Sequence, residues 1–168
     1  MTSLKAYVIH QLREMKREMT AVLEGLSDKD LTLRGSGGHG PIAWIVQHCC
    51  VNVDFFIHRG IKGEFFLDHE ERFLAWPLIE PGAKDTYPPG AELIDRWTSV
   101  CDAAVAGLGD MPEDNLQDPG KSADPPEPLV ESCLRVINHQ NVHLRQIWCI
   151  LGGRGMDEKW PVQQTWLA

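Results

Sequence analysis

The sequence predicts an all-α fold, a four-helix bundle with one long crossover connection between its second and third helices. Four stretches carry apolar residues at helical spacing, glycine and proline punctuate the segments between them, and no segment alternates with period two as a half-buried strand would. A chain of 168 residues without a composition shift suits one hydrophobic core. The expected division is a bundle over residues 1–153 and a C-terminal tail, 154–168, packing on it.

The first helix is expected from about Leu4 to Leu26, with Leu4, Val8, Leu12, Met15, Met19, Val22 and Leu26 inward; Ser3 can cap its start and Gly25 lies near its end. The second follows the Gly-rich segment 35–40, with Pro41 suited to the first helical position, and runs through Trp44, Ile45, His48, Val53 and Phe56 to a stop near Gly60. The third spans roughly Ala91 to Leu108, with Leu93, Ile94, Trp97, Val100, Cys101, Ala104 and Leu108 inward. The fourth runs from near Pro128 to Gly152 and Gly153, with Val130, Leu134, Ile137, Leu144, Ile147, Trp148 and Leu151 as its stripe.

The connection from Gly60 to Gly90 is too long for a hairpin between neighbours and can carry the chain back along the bundle, so that helices 2 and 3 run the same way. Asp68 and Glu71 have the spacing of a capping box, which places a short helix ahead of Phe73, Leu74 and Trp76.

Composition narrows the function. A net charge of −8, with lysines and arginines dispersed among acids, counts against a nucleic-acid partner. The most apolar stretch, Ile42 to Ile57, is interrupted by Gln47, His48, Asn52 and Asp54, which counts against a membrane span. Lys5 and His10 interrupt the region where a secretory signal would need an apolar run. Five scattered cysteines, with no Cys-x-x-Cys pair, favour reduced thiols and a cytoplasmic protein.

Three of the seven histidines stand apart. His139 and His143 are four residues apart on the fourth helix, so their rings project from one face and can reach one metal ion. Core packing also produces such pairs. His48 lies in the apolar run Trp44 to Val51, where an imidazole is costly to bury without partners. It is either a core histidine bonded to a neighbour such as Asn52 or a third ligand. With helices 2 and 4 antiparallel, His48 lies roughly 10 Å from the shared bundle end, His143 roughly 13 Å and His139 roughly 20 Å, at about 1.5 Å per residue. A parallel pair separates His48 and His143 by about 12 Å, so the antiparallel arrangement suits a shared ion better. His10, His58 and His69 sit in polar or flanking contexts, and His39 in a loop.

Residues Pro41-Ile42-Ala43-Trp44-Ile45-Val46-Gln47-His48, followed by His139-Gln140-Asn141-Val142-His143-Leu144-Arg145-Gln146-Ile147, resemble the DinB-like (DinB/YfiT-like) family of metalloenzymes. The resemblance runs from helix 1 to Gly153. It implies a four-helix bundle with an unusual crossover, and a divalent metal bound by His48, His139 and His143. It also implies a metal-dependent thiol transferase or isomerase that uses a low-molecular-weight thiol, and a homodimer.

Three imidazoles leave positions for water or a small-molecule substrate, as in catalytic sites, and suit zinc or nickel, with iron or manganese as alternatives. A metal-activated hydrolase, or a non-catalytic stress-associated bundle with a structural metal, are the other readings. The active end is expected near the start of helix 2, walled by Trp44, Trp97 and Trp160, with Tyr87 and Trp166 as further pocket candidates. Asn52 and Gln146, each within one turn of a ligand, are the candidate orienting groups. Helix 2 is apolar nearly all round, which by itself also points to a dimer.

Overall fold

The structure, a computed structural model, describes residues 3–35, 40–73, 87–122 and 127–156. Helix α1 (Leu4–Glu24) starts where the Ser3 hydroxyl accepts a hydrogen bond from the Ala6 N–H at 3.2 Å. Its inward stripe is buried from Val8 to Val22, whereas Leu4, in the first turn, is 40% exposed. A short α2 (Asp28–Leu31) follows, which the apolar periodicity did not signal. Its local signal is a reciprocal cap: Asp30 N–H donates to the Ser27 hydroxyl, and Ser27 N–H donates to the Asp30 carboxylate.

The second long helix starts after Pro41 as α3 (Ile42–Asn52). It continues through a π-helical turn (Val53–His58) into α4 (Arg59–Lys62), so it passes the expected stop at Gly60. Gly60 is instead a helix-interior residue at a close approach, because a Cβ there would lie 3.0 Å from Leu129 Cδ1. The stop is Gly63, whose φ of 87° is the left-handed conformation that glycine adopts at helix ends.

Helix α5 (His69–Phe73) carries the expected cap: Glu71 N–H donates to the Asp68 carboxylate at 2.8 Å and Asp68 N–H to the Glu71 carboxylate at 3.0 Å. Leu74 and Trp76 lie outside the described residues. Helix α6 (Gly90–Asp110) buries the expected residues except Ile94, which is half-buried; a 3-10 turn (Glu113–Gln117) follows. Helix α7 (Leu129–Gly152) buries Cys133, Val136, Ile137, Gln140, Leu144, Ile147 and Leu151. Leu134 falls one position off that stripe, about 100° around the helix, and is exposed.

Helix α1 packs on α6 and α7, and α3 packs on the same two, so the order around the bundle is α1, α6, α3, α7. Specific contacts fix the directions. The start of α3 lies near the end of α7, where Gly35 approaches Ile150, and Gly60 meets Leu129 at the other end, so α3 and α7 are antiparallel. Arg96 bonds to Gln47 and Gly107 approaches Ile61, so α3 and α6 run the same way. Lys16 pairs with Asp102 and Lys5 bonds to the Met111 carbonyl, so α1 and α6 are antiparallel. The start of α6 therefore lies at the same end of the bundle as the start of α3, the arrangement that the long connection allows.

All of α3 except Trp44 is buried. Its all-round apolarity is thus accounted for within one chain, by α6 and α7, and does not by itself require a partner. Among the described residues there is no strand, and no helix is long and apolar enough to cross a membrane. After α7 the chain turns at Gly155, with φ 68°, and Met156 packs against the core. The remaining tail, with Trp160 and Trp166, lies outside the described residues.

Candidate metal centre

The antiparallel seam between α3 and α7 brings His48, His139 and His143 together near the end of the bundle where α3 and α6 begin. His48 is 7% exposed and the other two are half-buried. The Nε2 atoms of His48 and His139 are 3.4 Å apart and those of His139 and His143 are 3.1 Å apart; one nitrogen from each ring lies within 4.8 Å of the others. Zinc–nitrogen bonds of 2.0–2.1 Å at tetrahedral angles put two ligating nitrogens about 3.3 Å apart. Two of the three pairs match that spacing and the third, His48 with His143, lies within 4.8 Å, so the three rings could hold one divalent ion.

The surroundings set which nitrogen carries the proton. Gln146 Oε1 lies 2.7 Å from His143 Nδ1, and an amide oxygen only accepts, so Nδ1 is protonated and Nε2 presents its lone pair. Asn52 Nδ2 lies 3.1 Å from His48 Nε2 and 2.8 Å from the His48 carbonyl oxygen, which makes Nε2 the acceptor there too. Both orienting residues expected from the sequence thus contact their ligands. His139 Nδ1 is buried and has no hydrogen-bond partner. Burial first, and the neighbouring His48 second, lower the His139 pKa to about 4, which keeps the ring in the neutral form that a metal requires. A proton on His139 Nε2 can donate to His143 Nε2 at 3.1 Å, and a cation shared by the three rings would take that proton's place.

Trp44 covers His48 from one turn earlier on α3, with ring centroids 4.8 Å apart and planes 6° from parallel. Trp97, the other described candidate for a pocket wall, is fully buried and donates its indole N–H to the Lys16 carbonyl of α1 at 3.2 Å, so it serves the opposite seam. Tyr87 is half-buried and packs on the core. Among the other histidines, His10 and His69 are exposed, His58 faces Asp54 at 3.7 Å, and His39 lies outside the described residues. Cys49 and Cys50 adjoin His48 but are fully buried, and burial holds both thiols above their usual pKa, Cys50 at about 12. Neither joins the histidines.

Two supports were not foreseen. Gln140, beside His139, donates to the Cys49 carbonyl at 3.0 Å and clamps α7 to α3 at the level of the ligands. Gln47, beside His48, donates to the Glu71 carbonyl and accepts from Arg96, both at 2.7 Å; Arg96 also pairs with Glu71 and Glu92. The sequence signal was available, since Gln47 interrupts an apolar run as His48 does. Its partner on α6, forty-nine residues away, was not.

Residues 11–147, which include all three histidines, match the DinB superfamily. In structure the chain is similar to a DinB-like protein from Bacillus cereus ATCC 10987, with a TM-score of 0.68 and 19% sequence identity over 88% of this chain and 91% of that one. No curated protein matches the chain in sequence. Matched over most of its length, and over both helices that carry the histidines, the chain belongs to the DinB superfamily.

Proposed function

We propose that the protein binds one divalent metal ion, zinc or nickel, on His48, His139 and His143, and uses it in thiol transfer or isomerisation. The observation that carries the metal reading is the convergence of imidazole nitrogens at 3.1–3.4 Å, with Gln146 and Asn52 holding two of the rings as Nε2 acceptors. Three neutral ligands leave the dipositive charge uncompensated and at least one position open, which favours an anionic fourth ligand. A divalent ion there would lower the pKa of a bound thiol or water and supply a nucleophile at neutral pH. The residues of the chain hold the rings, fix their tautomers and, through Trp44, keep an apolar wall over His48. No cysteine of the chain is placed to be the thiol, so the reading requires a small thiol from solution.

The test is elemental analysis of protein purified without an affinity tag, before and after reconstitution with zinc or nickel. One equivalent per chain is expected; well under half an equivalent after reconstitution rejects the metal reading. Addition of a small thiol to the nickel form is then expected to produce thiolate-to-metal charge-transfer absorption. A metal-loaded protein that shows none is a candidate for hydrolysis instead, through a bound hydroxide.

A further inference from the structure

We propose that Asn52 is the hydrogen-bond donor that receives and orients an acceptor-bearing group, such as a thiolate, hydroxide or carboxylate, at the open side of the metal. The inference rests on the metal reading above and adds the residue that selects what binds. Asn52 lies one turn after His48, and helical side chains lean back toward the N-terminus, so its amide reaches the His48 ring. The amide's orientation is settled by chemistry. Its nitrogen is 2.8 Å from the His48 carbonyl oxygen, and a carbonyl can only accept, so the NH2 end faces His48. One hydrogen serves that carbonyl; the other is directed at Nε2, 3.1 Å away.

That second hydrogen is the informative one. It donates to the same lone pair that a cation shared with His139 and His143 takes up. A lone pair committed to a metal no longer accepts a hydrogen bond, so ion binding frees this N–H at the edge of the coordination sphere. Asn52 is only 8% exposed, and a buried N–H requires an acceptor. The other two ligand nitrogens are committed in the same way, so the acceptor is the group on the remaining position. A thiolate, hydroxide, carboxylate or carbonyl oxygen keeps a lone pair after binding the ion; an amine does not. Gln146 cannot substitute, because it holds Nδ1, the nitrogen of His143 turned away from the ion.

The experiment uses the full chain loaded with cobalt(II), titrated with azide and with 2-mercaptoethanol and followed by visible absorption. Wild type is expected to take up one equivalent of cobalt, and Asn52→Ala is compared with it at cobalt concentrations that saturate each protein. Azide and thiol binding is expected to weaken about tenfold or more in Asn52→Ala, the loss of one charge-assisted hydrogen bond, and further in Asn52→Asp, which presents only acceptors. A measurement on wild type needs no variant to fold: in the zinc form, the Asn52 side-chain amide protons are expected to shift on azide addition in 1H–15N NMR spectra. Unchanged azide affinity in Asn52→Ala, or an amide signal that ignores azide, overturns the proposal. So does an altered spectrum of cobalt-saturated Asn52→Ala before azide, which would make Asn52 a ligand through its oxygen. Wild type that takes up no cobalt defeats the metal reading itself, and this inference with it.

Discussion

Two buried polar groups sit six residues apart on the same continuous helix, and they are solved in opposite ways. Asp54, in the π-helical turn, is fully buried, and its two carboxylate oxygens accept from the Phe66 and Leu67 N–H groups at 2.7 and 3.0 Å, with His58 alongside. Every bond it needs comes from this chain, and its effect is to fasten the segment after α4 back onto the bundle. His48 is nearly as buried, yet its Nε2 faces the nitrogens of two other imidazoles. Burial of a polar group is thus no sign of function on its own. What separates the two is the kind of partner: Asp54 meets backbone N–H groups that only donate, whereas His48 converges with two more imidazoles, a set that could hold a metal ion. The first is a staple; the second is a socket.

The strongest way to break that distinction is to remove a socket member. Apparent zinc-site energies of about 10–16 kcal/mol, spread over the ligands, make loss of one ligand worth roughly a thousandfold in affinity. His139→Ala and His143→Ala are expected to lose metal on that scale in competition with a chromophoric chelator, while His10→Ala and His69→Ala keep it. Equal retention by all four variants would remove the assignment.

The staple should respond in stability rather than in metal content. Asp54→Ala strands two backbone N–H groups, at a cost of about 2–4 kcal/mol, measured by urea unfolding. Metal stoichiometry of the folded variant should stay at the wild-type value. Burial pushes the Asp54 pKa up, outweighing the two N–H bonds that pull it down. The folded-state pKa therefore lies above the unfolded one, so the acid's contribution is present at low pH and declines as pH rises through the folded value. The penalty of Asp54→Ala is accordingly expected to be larger in mildly acidic than in neutral buffer; a penalty that grows with pH would contradict the account.

A smaller effect sharpens the socket. Gln146→Leu removes the acceptor that holds His143 Nδ1–H and should weaken metal binding about 10–100-fold without abolishing it, with partial recovery in Gln146→Glu. If Gln146→Leu binds metal as wild type does, the tautomer argument fails. The smallest effect concerns the thiols. Cys49, Cys50, Cys101 and Cys133 are buried with raised pKa values, and Cys149 is exposed. One thiol per folded chain should react rapidly with an aromatic disulfide reagent and the other four only on unfolding, with no change in metal content after the single modification.

Much of this was legible in the chain. The His-x-x-x-His pair needs only the helix repeat to place both rings on one face, and His48 was conspicuous because an apolar run surrounds it. The cap at Asp68 and Glu71 was readable because both partners are local. Gly60 misled for a related reason: a glycine that ends a helix and one that admits Leu129 look alike until the neighbouring helix is placed. Trp97 and Trp44 are similarly equivalent as aromatic residues on helices, and only packing sends one to α1 and the other to His48.

By itself the sequence determined the four helical rods, their apolar stripes and the spacing that puts two histidines on one face, because these depend on residues within a turn or two of each other. The tertiary structure decided the order of the rods, the antiparallel register that brings His48 to the level of His139 and His143, and the π-helical turn beyond it. It also decided which buried polar groups close among themselves, as Gln47 does with Arg96 and Glu71, and which imidazoles converge as a set that could hold a metal ion. Those outcomes depend largely on contacts between residues about 24 to 91 positions apart, where no local periodicity reaches, and on hydrogen-bond geometry that only fixed neighbours can define.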